Sequence, residues 1–220
     1  MMPMRRQAYY AMALAVVALV LTAYGLVSYD YYVEDREVRQ VDGTLVSHIS
    51  YGLRDVHNES KLVFNGTTLS KEDKYQEYPD FIGASNATRA RDAGGRQFTL
   101  LLISLVLIVL FIPTVFLSHQ GLFDERVGRL GPYVPLIMAQ IAALILIIGT
   151  LWFTYEFATG LDKDVANLLQ ERYQAVGGMA AFWLIVGGVL IQVAALYARA
   201  RTQLIYIKPL DEGREPRPLE

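Results

Sequence analysis

The chain has 220 residues, 53% of them hydrophobic and 19% charged, with a net charge of -2 and no cysteine. The missing cysteines exclude disulfides, thiolate metal sites and thiol nucleophiles, and the weak net charge without a basic cluster excludes a nucleic-acid-binding surface. The apolar residues are gathered into four long blocks, which a soluble core does not require.

A hydrocarbon layer about 30 Å thick needs about 20 apolar residues of helix. Residues 8–28, 98–118, 132–156 and 178–198 each meet that length, and apart from Glu156 at the end of the third block they contain no Asp, Glu, Lys, Arg or His. A buried soluble helix would show a polar stripe; these blocks do not. The first block follows Arg5 and Arg6, as a signal peptide would. It is longer than the usual signal core and has no small-residue cleavage motif, so an uncleaved first span is expected.

Basic residues orient the spans. The short N-terminus (1–7), the loop 119–131 with Arg126 and Arg129, and the tail 199–220 with Arg199, Arg201, Lys208, Arg214 and Arg217 are the basic connections. The short loop 157–177 balances Lys163 and Arg172 with Asp162, Asp164 and Glu171. The positive-inside rule then puts both termini in the cytoplasm of a multi-pass cell-membrane protein. The tail after Lys208 is Pro-rich and charged and reads as disordered, without a lipidation signal.

The long loop 29–97 falls outside the cell on this reading, and about 70 residues is too long for a bare connector. Tyr29 to Val41 and Thr44 to Leu53 flank Asp42-Gly43, the pattern of a hairpin. Leu45, Ser47, Ile49 and Tyr51 fall on one face, and Val46, His48 and Ser50 on the other. A second, shorter hairpin turns at Asn65-Gly66, between Lys61–Phe64 and Thr67–Leu69. A sheet of three or four strands resting on the helix ends is expected. Ser70 to Asp80 reads as charged and irregular. Ser85 to Ala93 reads as a short helix, capped by Ser85 or Asn86 and ended by Gly94-Gly95. The expected fold is an all-α transmembrane four-helix bundle with a small extracellular antiparallel β-sheet domain in the first outer loop.

The loop also holds Asn58-Glu59-Ser60, Asn65-Gly66-Thr67 and Asn86-Ala87-Thr88, three glycosylation sequons that take three of the chain's four asparagines. Asn58, Asn65 and Asn86 are therefore candidate glycan sites.

Helix packing in lipid relies on small residues. Ala11, Ala15 and Ala18 in the first span, Ala139, Ala142 and Ala143 in the third, and Gly177, Gly178, Ala181, Gly187 and Gly188 around the fourth supply them. Ala139, Ala143, Gly187 and Gly188 are the central candidates. Pro113 is expected to kink the second span or loosen its end, whereas Pro132 and Pro135 stand where a helix start tolerates proline.

Chemistry is sparse. Gln140 and Gln192 are candidates for polar contacts inside the membrane, and Glu156 stands at a span end. His48, His57 and His119 all lie outside the spans, which excludes a haem held between helices. His48 and His57 share the loop with many carboxylates, but their spacing fits no metal motif, and the acidic pair Asp162 and Asp164 reads as solvated charge. No cofactor, metal or catalytic site is assigned, since no nucleotide, hydrolase or metalloprotease motif occurs.

The order of parts resembles the claudin and peripheral-myelin-protein superfamily of four-span proteins, which includes auxiliary channel subunits. Tyr51-Gly52-Leu53 looks like the Gly-Leu element of that family's Gly-Leu-Trp signature, with Arg54 in the Trp position. Ala87-Thr88-Arg89-Ala90 is similar to the stretch before the second span, and Trp183 and Gly187-Gly188 are similar to features of the fourth. The family's paired cysteines are absent here. The resemblance implies an adhesion or barrier-forming protein, or an accessory subunit of a membrane complex. Its partners would be the bilayer and another membrane protein or a second copy. The alternative is an oligomeric channel or transporter component, and a third reading puts an enzyme or sensor site at His48 and His57.

Overall fold

The computed structural model describes residues 3–77, 89–119, 133–169 and 176–206. The start of the expected short helix at Ser85 and Asn86, the Asn86 sequon, Pro132, the loop with Arg126 and Arg129, and the tail after Lys208 lie outside the described residues. The elements are α1 (Pro3–Val27), β1 (Tyr32–Gln40), β2 (Gly43–Tyr51), β3 (Asp55–Phe64), β4 (Thr67–Glu77), α2 (Arg89–His119), α3 (Val134–Leu144), a π-helical turn (Ile145–Gly149), α4 (Thr150–Leu169), β5 (Val176–Gly177) and α5 (Met179–Tyr206). Among the described residues, four helical runs are long and apolar enough to cross a membrane: Arg6–Val27, Arg89–Ser118, Val134–Gly160 and Met179–Ala198.

The chain divides into two compact units. One comprises residues 1–23, 101–148 and 184–220, and the other residues 24–100 and 149–183.

The first unit is helical, with a core of small side chains. Ala11, Ala15, Ala18, Ala142, Ala194 and Ala195 are fully buried, with Leu101, Ile108, Phe111, Leu146 and Ile191 among them. The larger apolar residues Val16, Val20, Leu102, Ile103, Val106 and Leu196 are exposed. A soluble bundle does the reverse, because water would drive those surfaces together. Small residues inside and bulky apolar residues outside suit helices that pack by close approach in lipid. Pro135 occupies the second position of α3, where its missing N–H costs no helical bond. α2 continues through Pro113 to His119, and the Thr114 hydroxyl donates back to the Leu110 and Phe111 carbonyls at 3.0 and 2.8 Å.

The second unit is a five-stranded antiparallel sheet, in the order β4-β3-β2-β1-β5, with the helix ends of its own segments. The β3–β4 hairpin forms as its turn residues dictate. Asn65 and Gly66 both have positive φ, 46° and 78°, as a two-residue turn matched to strand twist requires. In the first hairpin Gln40 pairs with Gly43, so the turn is Val41-Asp42, one residue earlier than Asp42-Gly43 predicts. The alternation in β2 holds: Ser47, Ile49 and Tyr51 are buried and His48 is exposed.

Four further expectations are corrected. Ser70 to Glu77 is strand, the main part of β4, and pairs along β3 with one irregularity at Leu62/Val63. β4 is exposed on both faces from Thr67 to Tyr75, so no apolar alternation marks it. Gly94-Gly95 does not end a helix, because α2 runs straight through from Arg89. A Cβ on Gly94 would fall on the Leu53 carbonyl, so this glycine admits a close approach of backbone instead. Asp162 and Asp164, read as loop residues, fall within α4, and Gly177 belongs to β5.

Candidate functional site

The sheet rests on an aromatic base inside its own unit. Phe153 and Phe157 stand one turn apart on α4, with ring centroids 5.2 Å apart. Tyr32 stacks on Phe157 at 5.1 Å and 19°, Tyr31 meets Phe153 edge-on at 5.3 Å, and Tyr51 meets Phe157 at 6.3 Å. Their hydroxyls are satisfied in place: Tyr31 donates to the Gly25 carbonyl and Tyr32 to the Thr154 carbonyl, both at 2.6 Å. Burial pushes the Tyr31 and Tyr32 phenols above their ordinary range; nearby Tyr24 adds to the shift at Tyr31.

A clasp closes the same unit. The Tyr31 carbonyl accepts the Gly178 N–H at 2.8 Å, and the Asp30 carbonyl accepts the Ala180 N–H at 2.9 Å. The Asp30 carboxylate accepts the Met179 N–H at 3.1 Å. Asp30 thus caps the start of α5, where the first helical N–H groups lack partners of their own. Val176 and Gly177 add to the edge of β1 opposite Val33 and Tyr32.

Beside the sheet lies a cleft of about 1060 Å³ lined by Arg54, Asp55, Glu77, Arg91, Asp92 and Arg96, among others. Arg54 lies over the Phe98 ring, 5.0 Å from its centroid, a cation–π arrangement. Glu156 faces charge, as a carboxylate at a span end requires: Arg96 donates to it, and the Trp152 indole N–H donates at 3.2 Å.

No protein-family model matches the chain, and no curated protein matches it in sequence.

The remaining candidates divide by unit. In the helical unit, Gln140 and Gln192 exchange two hydrogen bonds, Nε2 to Oε1, at 2.9 and 3.0 Å. Ala139, Ala143, Gly187 and Gly188 are all buried. A Cβ on Gly188 would stand 2.6 Å from Ile147 Cγ1 and 3.1 Å from Leu146 Cβ, whereas one on Gly187 would meet nothing nearer than Leu21 Cβ at 3.5 Å. Close packing therefore demands glycine at the second position only.

In the sheet unit, Asn65 is exposed at the hairpin tip. Asn58 is held between Ile49 and Lys74 in mid-sheet, and its Oδ1 is buried without a partner among the described residues. His48 Nδ1 lies 2.7 Å from Asp35 Oδ1, and His57 Nε2 lies 2.7 Å from Asp73 Oδ1 and 4.0 Å from Glu59 Oε1. The sequence reading missed Glu59 and Asp73 as neighbours of His57, because β4 was not read as a strand. It also missed Arg96 as the partner of Glu156, which sits 60 residues away, and it missed the Asp30 cap. Asp73, Arg96 and the Met179 amide each come from a distant element, and spacing carries no signal of them.

Proposed function

We propose that this chain is a non-catalytic, multi-pass cell-membrane protein that works through protein–protein contacts. It serves as an accessory subunit of a membrane complex or as a claudin-like adhesion or barrier protein. The four apolar helices form a transmembrane bundle, and the distribution of Lys and Arg supports cytoplasmic termini and an extracellular sheet.

The observation that carries this reading is the β3–β4 hairpin, whose strands are 10 and 11 residues long. β4 is the edge of the sheet and is exposed along nearly its whole length. Its exposed length presents a surface, and only its last residue, Glu77, lines the cleft. Lys71, Glu72, Asp73 and Lys74 interrupt its apolar residues, the composition by which an open edge avoids indiscriminate pairing while remaining available to a specific partner. The amides of Gln140 and Gln192 are turned on each other, which disfavours their lining a polar pathway.

Purification of the tagged chain from its source membrane in mild detergent tests the proposal. A particle larger than one copy, containing a second protein or further copies in fixed ratio, is expected. A strictly monomeric particle without partner would overturn it, as would flux through liposomes containing the chain alone.

A further inference from the structure

Register across the sheet gathers titratable groups on one face. Asp35 of β1 pairs with His48 of β2, His48 with Glu59 of β3, and Glu59 with Asp73 of β4. His57 lies two residues before Glu59, hence on the same face, opposite Tyr75. Two imidazoles and three carboxylates from four adjacent strands therefore share this face. It is the face away from Ile49, Tyr51 and Val56, which are buried.

Within this row the donors of His57, Glu59 and Asp73 form the tightest group, with one ligand atom from each all within 4.8 Å of one another. The His57 ring is fixed: it stacks in parallel on Tyr75 at 4.2 Å and 3°, and the Tyr29 ring meets it at 6.1 Å and 65°. Its side chain is 18% exposed, against 34% for Glu59 and 48% for Asp73. One rigid imidazole thus stands between two carboxylates that have room to turn.

We infer that His57, Glu59 and Asp73 form a binding site for a divalent cation of the zinc class. Zinc takes imidazole nitrogen and carboxylate oxygen at about 2.0–2.2 Å in tetrahedral geometry, which sets its ligand atoms about 3.3–3.6 Å apart. The 2.7 Å and 4.0 Å separations from His57 Nε2 bracket that spacing. Three protein ligands leave a fourth position for water or for a group from a partner. The imidazole selects against calcium and magnesium, which prefer all-oxygen sites. The competing account is a simple ion pair of His57 with Asp73, and that pair gives no reason for stoichiometric metal uptake. The site is independent of the accessory role proposed above.

The test is a calorimetric titration with zinc chloride alone of the full chain in detergent micelles, without a histidine tag and after treatment with chelator. One equivalent is expected to bind with micromolar affinity or better, and millimolar calcium or magnesium is expected not to displace it. Loss of a ligand in His57→Gln, Asp73→Asn or Glu59→Gln is expected to weaken binding by at least about tenfold. His48→Gln, outside the three-residue set, is expected to bind as the parent does. Absence of stoichiometric binding overturns the inference. So does one retained equivalent in His57→Gln, a loss in His48→Gln equal to that in His57→Gln, or displacement by calcium. Should His57→Gln lose the far-ultraviolet signal of the sheet, the two carboxylate variants decide, and unchanged affinity in both overturns the site.

Discussion

Replacing Gln192 with Leu removes both hydrogen bonds to Gln140, at 2.9 and 3.0 Å, and keeps a similar volume between α3 and α5. An interhelical side-chain hydrogen bond in a membrane protein contributes about 0.6 kcal/mol on average and about 1.7 at most. Two such bonds make the pair worth about 1.2 kcal/mol. Gln192→Leu also leaves the Gln140 amide facing apolar side chains, and an orphaned amide adds about 1 kcal/mol. Each single variant, Gln192→Leu or Gln140→Leu, is therefore expected to cost about 2 kcal/mol. The double variant has no orphan and is expected to cost no more than either single one. Unfolding of the detergent-solubilised protein by titration with a denaturing detergent, followed by helical circular dichroism, measures all four forms. A double variant that loses the sum of the two single losses, within about 0.5 kcal/mol, would refute the pairing.

Gly188→Ala is expected to destabilise the helical unit by about 1–3 kcal/mol through overpacking against Ile147 and Leu146, while Gly187→Ala, one residue away, is expected to be neutral or slightly stabilising; thermal unfolding in micelles distinguishes them. In a host that performs N-glycosylation, the glycosidase-sensitive mass is expected to fall by one glycan in Asn65→Gln and to be unchanged in Asn58→Gln, because the first side chain is exposed on a turn and the second sits between two strands. The buried phenols of Tyr31 and Tyr32 make the sheet unit sensitive to alkali. Their folded-state pKa values lie above the unfolded value of 10.0, so their contribution is intact below about pH 10 and is lost as pH rises through the folded values. Tyr31→Phe is expected to be less stable at neutral pH, having lost its bond to Gly25, and to lose stability less steeply above pH 10; unfolding followed by tyrosinate absorbance reads both effects.

The sequence made the four apolar runs and both hairpins legible for simple reasons. Uninterrupted apolar length has few meanings, and Asn65-Gly66 is a turn that its own backbone preferences select. β4 was illegible because an edge strand with two wet faces has no period-two apolar signal: Lys71, Glu72, Asp73 and Lys74 look the same in a loop. Gly94 misled in another way. Its role is to let the Leu53 backbone approach α2, and only the fold shows which backbone comes near. Arg54 lies over the Phe98 ring, a contact across 44 residues that spacing does not reveal. The His57 group became visible only once register was known, since two of its residues share β3 and the third comes from a strand that sequence did not reveal.

The Asp30 clasp has a consequence for the order of biogenesis. Strands β1 to β4 form a meander of neighbours that can pair as soon as residue 77 has emerged, because every connection is local. The carboxylate of Asp30 finds its partner, the Met179 amide, 149 residues later. The exposed flank of β1 likewise stays open until Val176 and Gly177 arrive. During synthesis the early sheet is thus a folded but unfinished body, with an acidic group and a strand edge awaiting the last apolar segment. Arrival of that segment completes both at once, so a chain truncated before α5 would lack the partners of the Asp30 carboxylate and of the β1 edge together.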